Sequence, residues 1–186
     1  MVRYCSVVGC KSNDDSTSFT YVVCNKLCQR QSKLNANLQK NDVGFFKKID
    51  LTTAVTINDF KFRNYLVDSE NFSGNSLTGI PNMSIANTLD FNFHKNIGLF
   101  FQHQFNSKTS LNDAETVFAK SYNLLDAKLN WQRNFRNYYL TFNFGINNIL
   151  NTNYSLGNDL NAFGGRYFNI AAKRNFVIGL NIRLLK

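Results

Sequence analysis

Apolar and polar residues exchange places at every second position, over repeated runs of about ten to twelve residues, and a chain written this way can only be extended. In "YLTFNFGIN", Leu140, Phe142, Phe144 and Ile146 fall on one side of a strand, and Thr141, Asn143, Gly145 and Asn147 on the other. "MSIANTLDFNF" sets Met83, Ile85, Leu89, Phe91 and Phe93 against Ser84, Thr88, Asp90 and Asn92. "IGLFFQHQF" opposes Ile97, Leu99, Phe101 and Phe105 to Gln102 and Gln104. "NLLDAKLNW" opposes Leu125, Ala127, Leu129 and Trp131 to Asp126, Lys128 and Asn130. "NFVIGLNIRLL" opposes Phe176, Ile178, Leu180, Ile182 and Leu184 to Asn175, Asn181 and Arg183. "IDLTTAVTINDFKF" carries Leu51, Val55 and Ile57 on one face, and "KLNANLQ" alternates weakly through Leu34, Ala36 and Leu38. Six strands are clear, and a seventh follows if the last segment counts. Abundant Asn and few strong helix formers point the same way.

The connectors between these strands differ in length by position. "HKN" and "QRNFRN" are short, whereas residues 63–82, 106–120 and 150–173 are long and polar. In an up-and-down sheet, this puts the short turns at one end and the long loops at the other, the asymmetry of an outer-membrane barrel. A soluble β-sandwich or lipocalin-like barrel binding a small apolar ligand would also alternate, and it stays open as the rival reading. Strand length favours the membrane, because a tilted strand needs about nine to eleven residues to cross a bilayer, while ordinary strands run nearer five or six. Aromatic residues also gather near the strand ends: Phe93, Trp131 and Tyr138 beside the short turns, and Phe105, Tyr122 and Phe176 beside the long loops. The expected fold is all-β, an antiparallel up-and-down transmembrane β-barrel segment of six or seven strands from a larger barrel. Single-chain membrane barrels begin at about eight strands. An open edge in lipid costs several kcal/mol per unpaired backbone group. No run approaches the roughly 20 apolar residues of a membrane-spanning helix.

Other function classes find little support. The net charge of +9 is spread over short groups such as "FFKKID" and "AAKRNF", so no nucleic-acid partner is expected, although an oligonucleotide-binding barrel that stacks bases on its aromatics is a second rival. Cys5, Cys10, Cys24 and Cys28 all lie in the opening segment, where their spacing fits two disulfides or, loosely, a zinc site. Residues 1–32 are therefore set apart as an unassigned Cys-containing segment outside the barrel, and 33–186 as the barrel strands. The opening "MVRYCSVVGCKSNDD" lacks the apolar core of a secretion signal, so export of the chain as written is not expected. Asp113 and Glu115 share a loop, where paired carboxylates are usually just solvated. His94 belongs to a short turn, and His103 lies on the apolar phase near an interface. "FGGRYF" lacks the helix and Lys of a phosphate loop. No enzymatic activity, catalytic residue, cofactor or metal site is expected, and substrate-binding residues stay unassigned.

Three motifs resemble those of TonB-dependent outer-membrane receptors. "FGINNILNTNY" resembles the family's motif near the chain end, through Asn147, Asn148, Ile149, Leu150, Asn151 and Tyr154. "GGRYFNIAAKRNFVIGLNIRL" is similar to its closing strand, with Gly165, Arg166, Tyr167, Phe168, Arg174, Asn175 and Phe176 in register. "SGNSLTGIPNMSIANTLDF" resembles a loop-to-strand passage with Gly74, Asn75, Gly79 and Pro81. The likeness runs over residues 50–184 and departs from the family pattern at Ile170 and Lys173, where Pro and Gly are usual, and at Leu184, where an aromatic end is common. The resemblance implies a barrel of about 22 strands with an N-terminal plug, of which this chain would be a C-terminal fragment, inactive alone. It also implies a parent that takes up a ferric siderophore or similar iron chelate. The partners it implies are outer-membrane lipid, the TonB energy-coupling complex through the missing N-terminal part, and the barrel-assembly machinery at the last strand. Ligand capture would fall to the long loops.

Overall fold

The computed structural model describes residues 6–11, 17–24, 27–93 and 96–185, with side chains from residue 36 onward. Nine strands form one antiparallel sheet: β1 (Ser6–Lys11), β2 (Thr17–Cys24), β3 (Leu27–Val43), β4 (Phe46–Phe62), β5 (Met83–Phe93), β6 (Ile97–Asn106), β7 (Tyr122–Asn134), β8 (Tyr138–Asn147) and β9 (Asn175–Leu184). Their order in the sheet is their order in the chain, so every strand pairs only with its sequence neighbours. No helix among the described residues is long and apolar enough to cross a membrane.

Register turns the alternation into two continuous faces, because residues directly opposed in an antiparallel pair project to the same side. One row runs Phe93, Ile97, Trp131, Phe142, Leu180 across five strands. The next runs Ile49, Phe91, Leu99, Leu129, Phe144, Ile178. A third runs Leu38, Leu51, Leu89, Phe101, Ala127, Ile146, Phe176. The opposite face carries rows such as Asn92, Gly98, Asn130, Asn143, Gly179. There, Asn130 Nδ2 donates to Asn143 Oδ1 at 2.6 Å and Asn37 Nδ2 to Thr52 Oγ1 at 3.2 Å. A trough of about 590 Å³ opens on this polar side, between Asp90, Asn92, Phe100, Lys128, Asn130 and Asn143.

None of the described residues packs on the apolar face from outside the sheet. Among the described residues, Leu111 and Ala171 are the buried hydrophobic residues, and both lie in connectors rather than in the sheet. On the last strand, Phe176, Ile178 and Leu180 are 63%, 70% and 63% exposed. A soluble domain of this length hides roughly 70% of its unfolded surface around a dry interior; among the described residues, Leu111 and Ala171 alone are buried apolar side chains, and neither belongs to the sheet. The short-turn end carries an aromatic cluster. Phe46 packs on Phe93 with ring centroids 5.0 Å apart and on Phe91 at 5.4 Å; Phe45 meets Phe93 at 5.5 Å. Phe135 stacks on Tyr138 at 4.5 Å. Rings that tolerate both hydrocarbon and headgroups suit such a boundary.

Two sequence expectations need correction. The boundary after residue 32 falls inside the continuous strand β3, and β1 and β2 pair onto it through Ser6↔Val23 to Lys11↔Ser18 and Thr17↔Leu34 to Cys24↔Leu27. Main-chain pairing asks only for an extended neighbour, so an unusual Cys content did not keep the segment off the sheet. Tyr122 opposes Asn106, itself opposite Ser84, which places the ring on the polar face rather than in an interfacial girdle. Its hydroxyl accepts from Asn106 Nδ2 at 2.8 Å. Phe105, Phe176, Trp131, Tyr138 and Phe93 do lie on the apolar face.

The two faces respond differently to charge. Leu180→Arg, at mid-strand on the apolar side, should cost about 2–4 kcal/mol in a bilayer folding equilibrium, whereas Asn181→Arg one residue away should be tolerated. Equal tolerance of both would show that the apolar face does not meet hydrocarbon.

Candidate functional site

The three long connectors, residues 63–82, 107–121 and 148–174, lie at one end of the sheet and are tied together by side chains. The knot forms around Asp113. Local sequence presents it: Asn112 Oδ1 accepts the backbone N–H groups of Thr116 at 2.9 Å and Val117 at 3.1 Å, closing a tight Asx-type turn. From the first loop, the Tyr65 hydroxyl donates to Asp113 Oδ2 at 3.0 Å, and the Thr78 hydroxyl donates to Oδ1. From the third loop, Asn161 Nδ2 donates to Asp113 Oδ2 at 3.1 Å, while the Asp113 N–H donates to Asn161 Oδ1 at 2.9 Å. Asn75 Nδ2 reaches the Asp113 carbonyl at 2.7 Å, and the Ser76 N–H reaches Glu115 Oε1 at 2.9 Å. Both carboxylates, expected to be solvated, are engaged instead; their partners lie too far away in sequence to be read from it.

Packing reinforces the knot. Leu111 is fully buried, and its carbonyl accepts the N–H of Asn161 at 2.9 Å. Gly79 has φ +82° and its N–H donates to the Ser110 carbonyl at 2.8 Å. A Cβ at Gly79 would lie 2.6 Å from Leu160 Cδ1 and would push the end of that side chain aside, and the positive φ itself favours glycine here. The Asp113 carboxylate, accepting the Tyr65 proton donor and placing negative charge beside it, holds the Tyr65 hydroxyl above its ordinary pKa of 10.0.

The motif "NNILNTNY" clamps the base of the third loop. Asn148, 3% exposed, donates its N–H to Asp126 Oδ1 at 2.7 Å and closes a ring with Thr152 through bonds of 2.8 and 2.9 Å. Asn148 and Asn151 both adopt positive φ, 51° and 52°, a conformation Asn tolerates better than other side chains. Arg174 donates from Nε and Nη2 to the Ile149 carbonyl at 3.0 and 2.6 Å, and Asn147 Nδ2 donates to Asn175 Oδ1 at 2.9 Å. These residues hold β7, β8 and β9 together where the loop leaves the sheet. Their role is architectural.

A cleft of about 510 Å³ lies between the second and third loops, with Phe118, Lys120, Tyr122, Tyr154, Phe168 and Lys173 among its walls. The rings of Tyr122 and Tyr154 lie 5.3 Å apart, and the Lys108 ammonium sits 3.6 Å over the Phe118 ring. The sequence reading assigns ligand capture to the long loops without selecting residues, and this cleft is assembled from three separated segments of two of them. His103 sits on the apolar face as expected, within a polar ladder of three strands: Nδ1 is 3.0 Å from Asn87 Nδ2 and Nε2 is 3.2 Å from Asn123 Oδ1. His94 and Cys5 lie outside the described residues, as do the side chains of Cys10, Cys24 and Cys28. Among the described residues, no three His, Cys, Asp or Glu side chains converge on a metal-sized space.

No protein-family model and no curated protein matches the sequence. Solved structures do match. The siderophore receptor PiuA from Acinetobacter baumannii superposes with a TM-score of 0.63 at 14% identity, over 96% of this chain and 28% of that receptor. The sheet has the fold of a siderophore-receptor wall. BauA, the ferric preacinetobactin receptor of the same organism, superposes with a TM-score of 0.54 at 13% identity, over 90% of this chain and 28% of its own. The chain thus spans little more than a quarter of the length of either receptor. Both neighbours are receptors rather than enzymes. In the receptor-like wall, the knotted loops stand at the end opposite the short aromatic turns.

Two outcomes check the knot. Asp113→Ala leaves the Tyr65, Thr78 and Asn161 donors without their acceptor, so amide hydrogen exchange should quicken in 63–82 and 148–174 while strand amides keep their protection. Loop protection that survives the substitution would show that other contacts carry the loops. The raised Tyr65 pKa means the neutral hydroxyl is the form the fold favours. Its contribution is complete below the ordinary tyrosine pKa and is lost as pH rises through the higher folded value. Ultraviolet titration should show a step above the ordinary tyrosine range that Tyr65→Phe deletes.

Proposed function

We propose that this chain forms the C-terminal wall of a TonB-dependent outer-membrane receptor that takes up a ferric siderophore or a similar iron chelate. One observation carries this reading: a row-by-row apolar face, several strands wide, with no protein opposite it, in a sheet whose backbone follows siderophore-receptor barrels. Such a face requires hydrocarbon as its neighbour, and the antiparallel ladder satisfies the backbone groups that lipid cannot. Outer-membrane lipid is therefore the partner of the apolar face. The polar face lines the passage, and the knotted loops form part of the outer vestibule.

In this proposal the remaining strands, the plug and the TonB contact belong to the rest of such a receptor, and the last strand is what the barrel-assembly machinery engages. Capture of ligand by the loops precedes passage along the polar face as the plug rearranges. The soluble-barrel alternative needs a dry interior, and Leu111 and Ala171 do not make one.

The single tryptophan tests the reading directly. Trp131 lies in an apolar row one step from the short-turn end. Reconstituted into vesicles, its fluorescence should be strongly quenched by lipids brominated high on the acyl chain, less by lipids brominated near the bilayer centre, and little by acrylamide from water. Absence of lipid quenching, with a monomeric chain in detergent-free buffer, would overturn the membrane-wall reading.

A further inference from the structure

We propose that the short-turn rim of the apolar face is a docking site for an anionic phospholipid, whose phosphate is held by Arg133. The proposal rests on the membrane-wall reading above and names the headgroup class of the lipid that meets the wall at this rim. Charge on the apolar face is scarce and sits at one edge. Among the side chains that register places on this face of β4 to β9, from the Ile57–Met83 row to the short turns, Arg133 alone carries a permanent charge. Its row, Arg133, Leu140 and Ile182, lies one step outside the row of Trp131, Phe142 and Leu180. A charge at mid-face would lie in hydrocarbon; at the last row its head reaches water and headgroups while its stem stays on the apolar side. On β3, Lys40 opposes Ile49, so a second cation lies on this face within two rows of the rim.

The turn fixes where the guanidinium sits. The Phe135 N–H donates to the Tyr138 carbonyl at 2.8 Å, and the two rings stack with centroids 4.5 Å apart. The Arg133 guanidinium lies 5.3 Å from the centre of the Phe135 ring. Among the described residues Arg133 enters no ion pair, which leaves N–H donors for oxygen acceptors from outside the chain. Phosphate matches them, because a guanidinium can take two of its oxygens in parallel N–H···O bonds. The same turn adds Arg136, and the sequence does little to offset either arginine: after Asp126 the one acidic residue is Asp159, in the third long loop at the far end of the strands. A zwitterionic phospholipid carries its own ammonium, which offsets its phosphate and is repelled by this rim. Phosphatidylglycerol has no such cation, so charge complementarity selects an anionic lipid.

The full chain, reconstituted in phosphatidylcholine vesicles, carries its own reporter. Trp131, the sole tryptophan, projects from the same strand and face as Arg133, about 7 Å away along the strand. Phosphatidylglycerol or phosphatidylcholine, each brominated high on its acyl chains, is added at equal mole fraction, and quenching of Trp131 reads how often each occupies the adjoining place. Brominated phosphatidylglycerol should quench more, with an apparent association about fivefold stronger, the weight of one cation at an anionic lipid surface. The preference should shrink as salt rises. Arg133→Gln should remove it while quenching by phosphatidylcholine persists, and Arg63→Gln, which removes the same charge from the first long loop, should leave it whole. Circular dichroism and heat-modifiable gel mobility report whether each variant is folded. Equal quenching by both lipids in the wild-type chain would overturn the proposal alone, as would a preference that survives Arg133→Gln or falls equally with Arg63→Gln. Absence of quenching by either lipid would overturn the membrane-wall reading and this proposal with it.

Discussion

An apolar surface with nothing but its own sheet behind it is the constraint on which this structure depends. Residues such as Phe91, Leu99, Leu129, Phe144 and Ile178 share one side, and no second layer among the described residues covers them. In water such a surface would drive collapse or association. In hydrocarbon it is at rest, and the remaining demand is that backbone N–H and C=O groups be paired. The antiparallel ladder meets that demand for each strand between its neighbours. The long strands β3 and β4, 17 residues each, carry the ladder past the start of β5 toward the loop end.

The loops solve a different problem. They have no core beneath them, so they are held by polar side chains and a single buried leucine rather than by extensive apolar burial. Each neutral hydrogen bond contributes only about 1 kcal/mol net, and those to a carboxylate somewhat more. Concentrating several on Asp113 makes three chain segments depend on one residue, so that they respond to a change there as one body. The Asn148 turn performs the same office at the base of the third loop, where Asp126 and Thr152 complete its bonding. Between these two anchors lies the cleft whose walls are aromatic and basic, its shape set by how the loops are tied rather than by the strands below.

Strands β4 to β9 were legible because their side chains obey a period of two over lengths that chance rarely sustains, and the register then follows from keeping one face apolar. β1 and β2 were not. The sequence of β2 does alternate, with Phe19, Tyr21 and Val23 at every second position, but it is short and sits amid cysteines whose spacing also fits disulfides or a zinc site. Tyr122 shares the even phase of Asp126, Lys128 and Asn130, so its polar side follows from the alternation itself, and its pairing with Asn106 shows that the phase holds to the strand end. The motif around Asn148 could be seen in the sequence, but its purpose as a turn that fastens neighbouring strands could not.

By itself, then, the sequence determined the strand class, the division of each strand into a greasy and a wet side, and the end of the sheet at which the irregular segments collect. All three depend on local order along the chain, which the covalent sequence states outright. Only the tertiary structure decided that Asp113 meets Tyr65 and Asn161, each 48 residues distant, and that two lysines from different loops flank the same aromatic cleft. Loops have no periodicity to propagate, so their contacts are chosen by which side chains arrive within hydrogen-bonding reach once the ladder has set where each loop begins and ends.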